Sequence, residues 1–311
     1  MDTRKPVGAQ AIATMLLLCA VWGFQQVALK GTAALISPML QIGLRSGVAA
    51  LLVALLMLAR GEPLSVRDGS WRPGLVIGFL FALEFLFVAE ALRFTSASHV
   101  VVFLYTAPIF AALGLHWRLP AERLRPLQWA GIGLAFAGIA LAFFGSARPA
   151  GGGASTLLGD LLASLGGAAW GATTVVVRAT RLSALSATRT LLYQLLGAFV
   201  LLVAAAALLG QNRFESTPIS WVEMGFQAVV ISFASFLTWF SLLRRYQASQ
   251  LGVFSFMTPM FGVAFGVWLL GEPLEVAFVG GSVLVLAGLL LVTSPGWIGR
   301  AAGRLQVSSG A

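Results

Sequence analysis

Apolar residues fall in long runs broken by short polar stretches, without the alternation expected of half-buried strands. Taking about 20 such residues as one membrane crossing, the pattern predicts ten spans: 11–30, 35–58, 72–92, 96–117, 127–145, 157–177, 189–209, 221–243, 250–270 and 275–293. In hydrocarbon a backbone must satisfy its own hydrogen bonds, and the alternating strands of a barrel with a polar lumen are missing, so each run is predicted to be a helix. Short links such as "GEPLSVRDGSW" and "GEPLE" make consecutive helices antiparallel neighbours. The one soft link is "GSARPAGGGAST", and it predicts two units, 11–145 and 157–293, joined by a linker at 146–156.

Composition agrees with a bilayer as solvent. The chain has 311 residues, of which 59% are hydrophobic and 10% charged. A soluble domain of this make-up would expose apolar area that water does not tolerate. The net charge of +9 comes from single basic residues punctuating apolar runs rather than from a concentrated basic face, so no nucleic-acid partner is expected. Counted span by span, fifteen basic residues fall on the side of the N-terminus and four on the other, with Arg45 inside span 2. That bias predicts a multi-pass membrane protein with both termini cytoplasmic. Arg4 and Lys5 ahead of the first run would suit a signal peptide, but no convincing cleavage site follows, and the run is read as a retained helix. Cys19 is the only cysteine, which leaves no intrachain disulfide.

The halves resemble each other. "AVWGFQQ" at 20–26 has a partial twin in "AAWGATT" at 168–174, and a shift of 148 carries Trp22 to Trp170, Gly23 to Gly171 and Lys30 to Arg178. A shift of 151 carries Phe103 to Phe254 and Pro108 to Pro259, and one of 150 carries Gly131 to Gly281. Spans 1–5 are therefore expected to recur as 6–10. Because five is odd, the second copy enters the membrane from the opposite side, the plan of many secondary transporters. The fold class expected is an all-α integral membrane protein of ten transmembrane helices, built as two inverted-topology five-helix repeats.

"AVWGFQQVALK", "ALRFTSASHVVVFLYTAPIFAAL", "FSFMTPMFGVAFGVWLLGEPL" and "GGSVLVLAGLLLV" together resemble the drug/metabolite transporter superfamily, in its EamA (RhaT-like) branch. The resemblance spans about residues 11 to 294. It matches at Trp22-Gly23, Pro108, Pro259 and Gly271-Glu272, and departs at Pro120-Ala121-Glu122, where a Gly-Glu would be expected. It implies a carrier of small metabolites and brings amino-acid export forward as the substrate class, with nucleosides or sugars as the alternative. Family membership alone does not fix a substrate.

Polar groups inside spans are costly and so informative. Trp22 with Gln25 and Gln26 shares one broad helix face; together they either line a ligand path or bond between helices. Trp170 with Thr173 and Thr174 repeats that chemistry with hydroxyls, which can equally bond their own helix. Glu84 is a carboxylate at mid-span with no cation in its own segment, so it needs a proton, a cavity or a partner. Glu90, Arg93 and His99 lie toward the outer end and form either a gate or a hydrated ion-pair cluster. Arg45 in span 2 needs a partner or a route to the interface, and at that depth snorkelling suffices. Tyr105 and Phe256 precede Pro108 and Pro259 and are candidate aromatic walls, the prolines themselves being candidate helix kinks. Ser232, Ser235 and Trp239 make a candidate polar stripe on span 8.

The chain has no HExxH, no GxSxG and no Walker A sequence, so neither an enzyme nor an ATPase is expected. No cofactor and no metal is expected; the partners expected are a small-molecule substrate and the lipid bilayer, and the sequence leaves the oligomeric state open, a monomer being one reading.

Overall fold

The computed structural model describes residues 9–63, 68–119, 123–144, 153–246, 254–255 and 257–293, and these are helical almost throughout. Helix α1 is Ala9–Gly31, α2 Pro38–Ala59 and α3 Trp71–Phe94. α4 comes in two pieces, Ala97–Leu104 and Ala107–Arg118; α5 is Pro126–Phe144 and α6 Gly153–Ala179. α7 is Ala187–Leu208, and α8 comprises Pro218–Gly225, a π-helical stretch Phe226–Ser235 and Phe236–Arg245. α9 is Met257–Leu270 and α10 Val276–Thr293. Seven spans are long and apolar enough to cross a membrane, and the shorter apolar helices Pro126–Ala142, Met257–Leu270 and Val276–Leu291 bring the described residues to the expected ten. α6 begins at Gly153, inside the segment expected to be linker; residues 145–152 lie outside the described residues.

Several helix ends carry recognisable sequence signals. Pro38 opens α2 where its missing N–H is not needed, and Ser186 and Thr217 cap α7 and α8 by accepting from Arg189 N and Ser220 N. α2 and α7 stop identically. Gly61 and Gly210 adopt φ of +67° and +66°, which L side chains resist. Beyond them Glu62 N bonds Met57 O at 2.9 Å and Gln211 N bonds Ala206 O at 2.7 Å, the six-to-one closure of a Schellman motif. A shift of 149 carries one ending onto the other.

Packing follows the same exchange. α2 packs on α7, α4 on α9 and α5 on α10, each against its own counterpart five helices later. α3 on α7 is mirrored by α8 on α2, and α4 on α6 by α9 on α1. At the α5–α10 crossing, a Cβ on Gly138 would stand 2.6 Å from the Gly281 carbonyl oxygen, and one on Gly281 would stand 2.5 Å from that of Gly138. Gly288 meets the carbonyl of Gly131 in the same way. Since a shift of 150 carries 131 to 281 and 138 to 288, the two contacts swap into each other, which is what a two-fold relation between halves produces. Small residues let the backbones touch, the usual route to tight crossing where lipid supplies no hydrophobic drive between helices.

The outward faces are oily. Leu51, Leu55, Phe79, Val200, Trp221 and Trp268 are all exposed, as lipid-facing side chains should be. Met39, Ile42, Val53, Phe103, Leu195 and Leu202 are fully buried between the helices.

Candidate functional site: a cavity between the halves

The helix that places each candidate side chain is fixed by close glycine contacts. A Cβ on Gly23 would lie 2.7 Å from Gly262 N, 2.9 Å from Thr258 O and 3.0 Å from Phe261 Cβ. A Cβ on Gly171 would lie 2.8 Å from Ala107 O, 2.7 Å from Phe110 Cβ and 2.9 Å from Ala111 N. These neighbours correspond one to one under the shift of 151. The glycine of each Trp-Gly pair thus seats its helix against the proline-bearing helix of the other half, and the tryptophan before it turns inward. The break in α4 falls at Tyr105 and Thr106, with Pro108 in the first turn of the second piece. Pro259 lies in the first turn of α9.

Inside lies a cavity of about 650 Å³. Trp22, Gln25, Gln26, Glu84, Tyr105, Trp170, Thr174 and Trp239, cavity candidates from sequence, line it, together with the expected kink residue Pro108. Two edge-to-face aromatic pairs stand in its wall: Trp22 with Trp239 at 5.8 Å between centroids, and Tyr105 with Trp170 at 5.3 Å. Ser235 stands behind that wall, accepting a 2.8 Å hydrogen bond from Trp22 Nε1. Of the expected polar stripe on α8, Trp239 faces the cavity, whereas Ser235, at the end of the π-helical stretch Phe226–Ser235, holds the wall from behind. Thr173 and Thr174 line the cavity while bonding back to Ala169 O and Trp170 O. Phe256 lies outside the described residues.

Beneath Gln25 and Glu84 is a buried polar network. Arg45 is 1% exposed, so it does not snorkel. Its Nη1 donates to Gln227 Oε1, and with the Gln25 amide oxygen turned toward the guanidinium, that oxygen accepts from Nη1 at 2.9 Å and Nη2 at 3.1 Å. Gln227 Nε2 donates to Glu223 Oε1 at 2.8 Å, and Gln41 Nε2 to the same oxygen at 3.2 Å. The guanidinium carbon sits 4.8 Å over the Phe85 ring. Buried charge of this kind is tolerable only when partners replace the lost water; the Gln25 and Gln227 amides take the two Nη atoms, Glu223 is reached through Gln227, and Nε has no partner among the described residues.

Among the described residues the cavity lining extends toward one face. Its rim is formed by Leu124, Gln128, Arg178, Thr190 and Gln194, at the face where α1 begins. At the opposite face the helices are tied together. Glu272 accepts from Ala97 N at 2.6 Å, Ser98 N at 2.9 Å and Ser98 Oγ at 2.5 Å, clasping the start of α4. Lys30 Nζ donates to Leu92 O and, at 2.9 Å, to Thr95 O. The three expected gate residues fall into two groups there. His99 Nδ1 lies 2.8 Å from Asp160 Oδ1, which also accepts from Thr95 Oγ1, and the imidazole stacks on Phe278 at 4.0 Å. Glu90 instead pairs with Arg93 at 2.7 Å and accepts from Gln211 Nε2.

Near the open face, the α2–α3 link is fastened to α7. Asp68 Oδ2 lies 2.7 Å from Arg189 Nη1, and Ser70 Oγ lies 3.0 Å from Tyr193 OH. Hydrogen bonds from Ser70, with the Arg189 guanidinium added, hold the Asp68 carboxyl down at about 2.

Sequence reasoning missed Asp160, Glu223 and Gln227. Asp160 interrupts "LLGDLLASL", a signal as plain as that of Glu84. Glu223 and Gln227 are four apart and so share a helix face, but their partner Arg45 lies 182 residues from Gln227 along the chain.

A model of the EamA-like transporter family matches residues 9–144 and 157–294. A Bacillus subtilis protein described as an uncharacterised transporter is 23% identical over 88% of this chain and 93% of its own length. A Salmonella typhimurium protein described as a probable amino-acid metabolite efflux pump is 27% identical over 89% of this chain and 92% of its own. A Pseudomonas aeruginosa protein without an assigned role is 30% identical over 94% of this chain and 93% of its own. One crystal structure superposes with a TM-score of 0.64 at 22% identity, covering 91% of this chain and 97% of the other, a likeness of fold.

Proposed function

The chain belongs to the EamA-like transporter family, and on that premise we propose that it is a secondary transporter that exports small metabolites, amino acids first among them. The mechanism proposed is alternating access, with the halves 11–145 and 157–293 rocking about the cavity between them. The observation behind it is the cavity itself: about 650 Å³, walled by two aromatic pairs, floored by Gln25, Gln26 and Glu84, open at one face and tied shut at the other. Such a space suits a small ligand with one polar and one apolar part.

Direction and placement follow from charge. The open face is the one that carries most of the basic residues, so we assign it to the cytoplasm and the membrane to the bacterial plasma membrane, both termini inside. The conformation is then inward-open, ready to load a cytoplasmic substrate. The printed role of the Salmonella relative favours amino acids and efflux.

Counterflow tests the proposal. Proteoliposomes preloaded with an unlabelled amino acid are expected to accumulate the same labelled amino acid transiently, and panels of nucleosides and sugars are expected not to exchange. Exchange of no compound by protein that remains folded would overturn it.

A further inference from the structure

Two fully buried acceptors on side chains of the cavity lining lack a partner among the described residues. Glu84 Oε2 and Gln26 Oε1 are buried with no hydrogen-bond donor in reach, on side chains 5% and 4% exposed, and both residues line the cavity. A buried acceptor without a donor is costly, so the ligand that completes this floor brings N–H groups. Among the described residues no cation lines the floor to receive a carboxylate in return: Arg45 is absent from the cavity wall, its two Nη atoms are taken by Gln25 and Gln227, and its unpartnered Nε is buried. Arg178 stands at the rim.

Charge points the same way. Glu84 and Glu223 both act electrostatically on the single guanidinium of Arg45, so the network holds one carboxylate more than it has cations. Above the floor stand Trp22, Tyr105, Trp170 and Trp239, whose ring faces attract a cation and whose bodies pack an apolar group.

We propose that the cavity recognises its ligand by an ammonium group seated against Glu84 and Gln26 between the aromatic walls, and that a free carboxylate on the ligand is not required. The substrate class is thus primary amines with an apolar body, of which amino acids are the members that also bear a carboxylate. The inference deepens the transport reading and rests on it for the movement of such amines, though not for their binding.

Binding is measured in detergent by quenching of the cavity tryptophans, with phenylalanine, phenylalanine amide, phenethylamine and N-acetylphenylalanine as probes. The amide and phenethylamine are expected to bind at least as tightly as phenylalanine, and N-acetylphenylalanine, which has no ammonium, at least about tenfold more weakly. Glu84→Gln is expected to weaken phenethylamine by about 10- to 100-fold. Should that variant fail to fold, Gln26→Leu, which removes the other acceptor, is expected to weaken it several-fold. N-acetylphenylalanine binding as tightly as phenethylamine, or phenethylamine failing to bind the parent, overturns the inference. Binding of amines without counterflow sinks the transport reading alone, and counterflow of N-acetylated compounds sinks the ammonium site alone.

Discussion

Gly23 packs against Gly262 so closely that a Cβ on the first would lie 2.7 Å from the amide nitrogen of the second. The equivalent pair, Gly171 and Ala111, stands in the same relation at 2.9 Å. Replacing Gly23 by Leu is expected to cost at least about 1–3 kcal/mol, since the obstructing atoms are backbone and cannot move aside as a side chain would. Gly133, with nothing within 4 Å of its would-be Cβ, serves as the control: Gly133→Ala should stay within about 1 kcal/mol of the parent. Thermal unfolding of the purified variants in detergent reads the difference, and equal midpoints for Gly23→Leu and Gly133→Ala would contradict it.

Arg45 is expected to hold α1, α2 and α8 together through Gln25 and Gln227. Arg45→Ala leaves buried carboxylates without their cation and should lower stability by about 3–5 kcal/mol. Adding Glu223→Gln removes one of those carboxylates and should restore part of the loss. Unfolding midpoints of the single and double variants decide it; a double variant no more stable than Arg45→Ala would show that charge is not what the network balances.

Trp22 both walls the cavity and donates to Ser235. Trp22→Phe keeps an aromatic wall and loses the indole N–H, for a stability cost of about 1 kcal/mol. Trp22→Ala also removes the edge-to-face contact with Trp239, and ligand affinity should fall further than folded yield. Titration calorimetry alongside expression yield separates the two effects. Normal binding by a poorly folding Trp22→Ala would make this a packing residue.

Asp68 lies outside the spans, and its carboxyl, lowered from 3.8 to about 2, gives the α2–α3 fastening a defined pH response. A carboxyl depressed on folding adds stability that is fully present above its unfolded value and lost as pH falls through the folded one. The tie to Arg189 should therefore hold through neutral pH and weaken only between about pH 4 and 2. The effect is small because Asp68 is exposed. Asp68→Asn is expected to flatten that part of a plot of unfolding midpoint against pH; an unchanged slope would remove Asp68 from the fastening.

The ten helices and the correspondence of spans 1–5 with 6–10 were legible because a bilayer demands long apolar runs, and because the Trp-Gly and proline positions recur at nearly constant spacing. The cavity residues were legible where a polar or aromatic side chain interrupts such a run, as Trp22, Gln26 and Glu84 do. What sequence could not show is which helices meet. Arg45 reads as a snorkelling residue until α8 brings Gln227 beside it, and Ser235 reads as cavity-facing until α8 sets it behind Trp22. His99 likewise sits near Glu90 in sequence, yet finds Asp160 on α6 as its partner.

The central claim is that one cavity between inverted halves opens to either face in turn, and sided thiol labelling of Thr174→Cys in a Cys19→Ala background tests it most directly. Thr174 lines the cavity, and the protein is placed in sealed proteoliposomes of known orientation. Without substrate, an impermeant thiol reagent is expected to reach the cysteine from the face that holds Gly69 and not from the face that holds Gly210. On adding a transported substrate, labelling from the Gly69 face should fall and labelling from the Gly210 face should rise. Labelling confined to one face whatever the substrate, or absent from both, would contradict alternating access through this cavity.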